Sequence, residues 1–321
     1  MRNSHPRVSL IVTVKNEEDA IPELLDTVLS QSHAPDEIVI VDGGSTDKTV
    51  TIIKNYIRSG APINLIVAPS TNIPQGRNLA IKNATGEIIA CTDAGMKLHK
   101  DWLKNLTSKF DNETDIVIGV YHPYEFGSFL QRCIGETFFP KERFEKETES
   151  TSVPSAKSMA LRKIAWERVG GYPEFLETAE DTVFGMKLHE AGFKFKLAKE
   201  AIVYWRVCEG FKDLFWKVFT YSKNDVKAQI LSATWKPNVR RVFVFLSFLV
   251  LAVLSFLAFW GKFLMFFFLI GVFSYPTYLG FKAAKRIGDF RAVFMVPIIL
   301  FVVDLGRLLG LFYGFVRYKL V

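Results

Sequence analysis

The chain has 321 residues, 49% of them hydrophobic, and a formal net charge of +7. That length holds one large domain or two modest ones with a buried core. The basic residues form no single run interleaved with aromatics, which sets nucleic acid aside as a partner. They flank apolar segments instead, as in Arg240-Arg241 and Lys282, Lys285 and Arg286, a placement that suits an anionic membrane surface. The first two-thirds mix charge with apolar runs, whereas the last third is rich in Phe, Leu and Val. Cys91, Cys133 and Cys208 are far apart and lack metal-ligand spacing, as expected of buried thiols in a reducing compartment. Met1 to Val8 is polar, without an apolar signal core, so the first domain is expected to stay in the cytoplasm.

In chain order, Val8 to Val14 is a nearly continuous apolar run that predicts a buried strand. Ala20, Ile21, Leu24, Leu25, Val28 and Leu29 then recur at helical spacing. Strands are expected at Glu37 to Val41, Ile63 to Val67 and Glu87 to Cys91, with helices over Lys48 to Arg58 and Gln75 to Asn83. This rhythm predicts a parallel α/β sheet. A further strand is expected at Asp115 to Tyr121, then a polar loop over the site at Lys141 to Ser155. After that come Lys157 to Leu161, a helix near Thr182 to Ala191, and two strands at Phe193 to Leu197 and Ala201 to Trp205.

Gly210 to Leu231 reads as an amphipathic helix, either in the headgroup layer or packed on the domain. Three hydrophobic helices follow, at 242–260, 263–281 and 292–316, each near the roughly 20 residues a bilayer requires. Only Gly261-Lys262 separates the first two, which predicts a tight hairpin. Within the third, Asp304 and Arg307 stand at i, i+3 and are expected to pair, which lowers the cost of burying either. The division expected is a domain over 1–235 and a transmembrane region over 236–321. Arg240-Arg241 and the Lys282 to Arg291 loop fall on the cytoplasmic side with the catalytic domain. Arg317 and Lys319 do not fit that scheme if the third helix spans fully.

Three acidic features sit where strands end, the place where open α/β sheets bind ligands. Asp42 precedes Gly43-Gly44-Ser45-Thr46-Asp47; it either accepts hydrogen bonds from a nucleotide base or caps the next helix. Asp47, directly before a helical pattern, fits a cap better. Thr92-Asp93-Ala94-Gly95 delivers a carboxylate suited to a ribose or a hard cation, or is a plain turn. Glu180-Asp181 follows Gly170-Gly171-Tyr172-Pro173 and opens a helix, where acidic caps are common.

Taken together, Lys15-Asn16-Glu17-Glu18 after the first strand, the Asp42 to Asp47 turn, Gly76-Arg77-Asn78, Thr92 to Gly95 with Trp102-Leu103, Gly170-Gly171-Tyr172 and Glu180-Asp181 resemble the family 2 glycosyltransferases over about the first 230 residues. The resemblance implies a GT-A fold, a Rossmann-like nucleotide-sugar-binding domain, and an inverting transfer from a nucleotide-diphosphate sugar with a divalent metal, Mg or Mn. It implies that Asp42 contacts the base, with Val14, Asn16 and Glu17 lining the same pocket. Asp93 holds the ribose or metal-diphosphate region, Arg77 lies near the donor, and Asp181, supported by Glu180, is the general base. Gly95 stands where the family usually has a second, metal-binding acid, leaving Asp93 alone as the metal ligand. The Gln-x-x-Arg-Trp motif of processive synthases is missing from the Trp205 to Ala228 region, so single additions are expected.

The hydrophobic helices imply a multi-pass protein of the cytoplasmic membrane with its catalytic domain on the cytoplasmic face. The acceptor expected there is lipid-linked or a polysaccharide, as in cell-envelope synthesis. Two rivals are weaker. A sugar-nucleotide pyrophosphorylase wants a glycine-rich phosphate loop that Thr13 to Glu17 does not offer. A membrane scaffold or transport component with a degenerate nucleotide-binding domain wants more spans or a repeat.

Overall fold

The computed structural model describes residues 6–124, 127–140, 148, 154–230, 250 and 261–318, with 261–273 as backbone alone. It divides into two compact units, one of residues 1–124 and 142–206 and the other of 125–141 and 207–321. The helix at 211–227 therefore groups with the C-terminal helices, and the expected division at residue 235 lies outside the described residues.

In the first unit, eight strands make one sheet: β1 Val8–Val14, β2 Glu37–Asp42, β3 Ile63–Val67, β4 Ile88–Cys91, β5 Met96–Leu98, β6 Ile116–Pro123, β7 Met159–Arg162 and β8 Phe195–Trp205. Their order is β3-β2-β1-β4-β7-β6-β8-β5. The first four are mutually parallel, β7 runs antiparallel to β4 and to β6, and β5 runs antiparallel to β8. The sheet is thus mixed rather than wholly parallel.

Side chains alternate across the strands. Leu10 and Val12 of β1 pack on one face with α1 Ile21–Leu29, α2 Thr49–Arg58 and α4 Trp102–Thr107. Ile11 packs on the other with α3 Ile73–Asn83, α6 Lys163–Arg168 and α7 Glu180–Glu190. Both faces are covered, which is why the central strands are continuous apolar runs.

The two strands expected at 193–197 and 201–205 are one. β8 stays paired to β6 through a register shift between Ile118 and Val120. Gly119 sits at that shift, where a Cβ would collide with Ser158 Oγ and Ala201 O. The bulge absorbs the exposed Lys199-Glu200 pair without ending the strand.

In the second unit, α5 Phe129–Phe138 opens with a capping box between Ser128 and Gln131. It is joined by α8 Phe211–Lys227, α9 Gly261–Ile287 and α10 Ala292–Tyr318. Gly306, Gly310 and Gly314 put a side-chain-free stripe on α10. A Cβ on them would strike Phe215 O, Phe219 O and the Val226 side chain of α8, so the two helices run parallel in near backbone contact. Asp304 and Arg307 pair as expected, at 3.2 Å.

Among the described residues one helix, α10, is long and apolar enough to cross a membrane. The expected span at 242–260 and its hairpin at 261–262 fall outside the described residues or at their edge, and 263–281 lies within α9. The multi-pass arrangement expected from sequence is therefore not supported. The loop expected at 141–155 also falls almost wholly outside the described residues.

Candidate active site

The carboxyl ends of β1, β2 and β4 lie side by side, because Val14 pairs with Asp42 and Ile11 with Cys91. At the end of β2 the Asp42 carboxylate is fully buried and accepts the Gly44 and Ser45 amides at 3.0 and 2.9 Å, plus the Ser45 hydroxyl at 2.5 Å. Gly44 has φ +91, a left-handed conformation that glycine adopts without strain. Ser45 Oγ also accepts the Asn16 amide at 2.8 Å, and Asn16 Oδ1 accepts the Thr46 amide at 2.9 Å. The loops after β1 and β2 are thus laced together, with Asn16 itself left-handed at φ 56. Asp47 Oδ1 takes the Thr49 amide at 2.9 Å, but the helix's N-cap is Lys48, so Asp47 supports the helix start from one residue before the cap.

Glu17 follows in that loop. Burial, then the charges of Asp93 and Asp47, raise its pKa. Loop and β4 end therefore share one acidic neighbourhood.

Residues Gly76-Arg77-Asn78 on α3 tie this edge to the rest of the unit. A capping box between Asn72 and Gln75 starts the helix. Gly76 lets it press on β1, since a Cβ there would meet Thr13 Cγ2 at 2.9 Å. Arg77 is buried and bidentate across two chains of residues: Nη2 donates to Asp93 Oδ1 at 2.8 Å and Nη1 to Glu180 Oε1 at 2.5 Å. Its guanidinium also lies over the Tyr172 ring, 5.5 Å from the centroid. Burial alone would lower the Arg77 pKa; the charges of Asp93, Glu180 and Asp181 outweigh it and hold the cation. Burial raises the Glu180 carboxyl despite Arg77, with the Asp181 charge acting in the same direction.

Asn78 pins the 170–174 turn. Its Oδ1 accepts from Trp166 Nε1 and the Tyr172 amide, both at 2.9 Å, and its Nδ2 donates to Tyr172 O and Glu174 Oε1. Gly171, at φ +72, has no room for a Cβ beside Asn78 Oδ1. The three motifs at 76–78, 170–172 and 180–181 are in this way one assembly.

Asp181 sits in the first turn of α7, its Oδ2 accepting the Ser155 hydroxyl at 3.2 Å. The residue before the helix, Ala179, is left-handed at φ 67. For an alanine that costs roughly 1–2 kcal/mol, and strain of this kind gathers at working sites.

Arg77 ties Asp93 to Glu180, the neighbour of Asp181, while Ser45 and Asn16 tie Asp42 to the loop that carries Glu17. Sequence reading missed Ser155 and the double pairing of Arg77. A cleft of about 710 Å³ beside α3, lined by Thr71, Gln75, Asn78, Lys82, Trp166 and Glu174 among others, contains none of these carboxylates. The polar groups of Asn78 and Trp166 that face it already bond to each other, so the charged edge is the better candidate for chemistry.

Divalent metal fits this edge poorly as a cage of protein ligands alone. One oxygen of Asp93 is taken by Arg77, Gly95 has no side chain to offer, and no trio of His, Cys, Asp or Glu converges suitably among the described residues.

The sequence profile of glycosyl transferase family 2 matches residues 9–169, half of the chain. The chain belongs to glycosyl transferase family 2. This glycosyltransferase is 22% identical over 246 residues to glycosyltransferase AglE of Haloferax volcanii, covering 76% of the chain and 80% of AglE. It is 26% identical to the O-antigen chain rhamnosyltransferase RfbN of Salmonella typhimurium, over 61% of the chain and 65% of RfbN. It spans just 20% of GlyA of Streptococcus pneumoniae. In fold it resembles mannosyltransferase PcManGT of Pyrobaculum calidifontis, solved with GDP-Man and Mn2+, at a TM-score of 0.59 and 19% identity, covering 98% of this chain and 88% of that one. S. aureus TarS 1–349 in complex with UDP matches at a TM-score of 0.53 and 18% identity, over 98% and 93%. The GT-A-like curled α/β sheet of this glycosyltransferase agrees with the fold its motifs implied.

Proposed function

We propose that this glycosyltransferase moves one sugar at a time from a nucleotide-diphosphate sugar to a lipid-linked or polysaccharide acceptor, with inversion. The observation that carries the reading is Arg77, which draws Asp93 and the Glu180-Asp181 pair to one edge of the sheet. Asp181 is the general base. A sugar hydroxyl is a weak nucleophile, and a positioned carboxylate takes its proton as the oxygen bonds to the anomeric carbon. The bond from that carbon to the diphosphate oxygen breaks in the same displacement, which inverts the centre. A hydroxyl already rests on Asp181 Oδ2, that of Ser155 at 3.2 Å, which is the approach an acceptor hydroxyl requires.

Val14, Asn16, Glu17 and Asp42 form the nucleotide end and Asp93 the ribose-diphosphate region. Asp42 acts through the turn it holds. Asp93 would be the one protein ligand to a divalent ion, which would supply charge stabilisation to the departing diphosphate when bound. The O-antigen name of RfbN supports a polysaccharide-type acceptor, and the length and apolar composition of α10 are compatible with work at a membrane.

The test is nucleoside-diphosphate release from a panel of nucleotide sugars, with and without Mg²⁺ or Mn²⁺, on wild type and Asp181→Asn. Turnover by wild type with one donor, lost in the variant while calorimetric donor binding persists, is the expected result. Undiminished turnover in Asp181→Asn removes it as the base.

A further inference from the structure

The turn between α9 and α10 combines exposed phenyl rings with a collar of cations. Gly280 brings the end of α9 onto the start of α10, since a Cβ there would strike Val293 Cα and O at 2.8 Å. That close packing leaves Phe281, Phe290 and Phe294 outside, each more than half exposed. They meet one another edge to face, Phe281 and Phe290 at 6.1 Å between centroids, Phe290 and Phe294 at 6.0 Å. Bare rings gathered in this way mark a binding surface. The apolar line runs on along α10 through Ile298, Phe301 and Leu305, exposed at helical spacing.

Charge surrounds the rings. Between residues 282 and 291 four cations stand against a single carboxylate, Asp289, and Arg291 already clasps it at 2.7 Å. Arg286 pairs with Glu136 of α5 at 3.8 Å. Lys282 and Lys285 are exposed one turn apart on α9, and neither pairs with a carboxylate among the described residues. The Lys282 ammonium lies over the Tyr278 ring, 5.3 Å from its centroid. On α5, Arg132 shares the Phe129 ring with Arg291, the guanidinium carbons standing 5.8 and 4.6 Å from its centroid. Another cation is thereby held at the turn.

An acidic protein would answer the charge and leave the apolar line of α10 uncovered. An acidic bilayer answers both. Bulky side chains fill the exposed line, as on helix surfaces that face lipid, whereas helix partners favour small ones. Rings at the boundary of headgroups and acyl chains, with ammonium groups reaching the phosphates, are the ordinary mode of such contact.

We propose that the α9–α10 turn is a binding surface for anionic phospholipid, with Phe281, Phe290 and Phe294 in the acyl region and Lys282 and Lys285 on headgroup phosphates. The proposal goes beyond the sugar-transfer reading and does not depend on it.

Full-length protein in dodecyl maltoside is titrated by thermophoresis with dioctanoyl phosphatidylglycerol, dioctanoyl phosphatidylcholine and a decaglutamate peptide. Wild type is expected to bind the phosphatidylglycerol at least about tenfold more tightly than the phosphatidylcholine, and added salt is expected to shrink that preference. One lysine near an anionic surface is worth about fivefold in affinity. Lys282→Gln with Lys285→Gln is therefore expected to weaken phosphatidylglycerol by roughly 25-fold and to leave phosphatidylcholine unchanged. Lys282→Arg with Lys285→Arg keeps the preference. Phe290→Ser, at a position too exposed to matter for folding, is expected to weaken both lipids by about tenfold. Equal binding of the two lipids by wild type, or a neutral pair that binds phosphatidylglycerol as wild type does, overturns the proposal. So does a Phe290→Ser that leaves both lipids unchanged, or decaglutamate as the tightest ligand. No turnover is needed, so failure here is separate from failure of the Asp181→Asn assay.

Discussion

Replacing Arg77 by alanine tests the electrostatic joint that assembles the site. The Arg77 and Glu180 side chains are 6% and 8% exposed, and Asp93 is 30% exposed. Taking away the cation leaves the Glu180 carboxylate deeply buried without its guanidinium and takes one ion-pair partner from the partly buried Asp93. Removal of one partner from a buried pair costs about 3–5 kcal/mol. Asp93 adds less, because water reaches it. Against a total stability of about 5–15 kcal/mol, that is a large share. At about 2–4 °C per kcal/mol for a unit of this size, the melting temperature falls by roughly 6–20 °C. Arg77→Lys does not restore the joint, since one ammonium lacks the two-pronged fork. Arg77→Met with Glu180→Gln removes charge on both sides and is expected to recover part of the loss. Thermal unfolding of the four proteins at pH 7.5 is the assay. A drop under about 1 kcal/mol for Arg77→Ala, or no recovery in the double variant, refutes the reasoning.

Other positions give separable outcomes. Ala179→Gly relieves a left-handed alanine and is expected to raise stability by about 1 kcal/mol by chemical denaturation. Gly310→Leu forces α8 from α10 at Phe219 O and is expected to lower the melting temperature sharply, whereas Gly288→Ala in the α9–α10 turn, with open space but a left-handed φ of +73, is expected to cost only the roughly 1–2 kcal/mol of that backbone strain. The Glu17 pKa is raised in the fold, so its neutral form is the favoured one. Its stabilisation is present below the ordinary value of 4.5 and is lost as pH rises above that. Melting curves of wild type and Glu17→Gln are therefore expected to converge at pH 4 and separate above pH 5, with Glu17→Gln the more stable at neutral pH. Parallel curves over that range count against the acidic crowding.

Much of this architecture was legible beforehand. β1 and β3 are found at their expected bounds because runs such as Val-Ser-Leu-Ile-Val-Thr-Val have no other stable home than a sheet buried on both faces. Elements of three to six residues, β5, α4 and α6, went unpredicted, since so few residues show no period. The polar Lys199-Glu200 pair looked like a break in β8 because a bulge leaves no local signature in the bulged strand itself. At the site, the acids were found through the order of their motifs. Arg77 was found with them, but its double pairing was not, because it meets Glu180 across 103 residues of chain. The strain at Ala179 was hidden for a like reason: nothing in Thr-Ala-Glu-Asp calls for a left-handed residue.

A structure determined with a bound donor tests the central claim most directly. The account predicts the ribose and diphosphate beside Asp93 and the anomeric carbon turned toward the Asp181 carboxylate. A donor seated in the cleft between Gln75 and Trp166, away from both carboxylates, contradicts it.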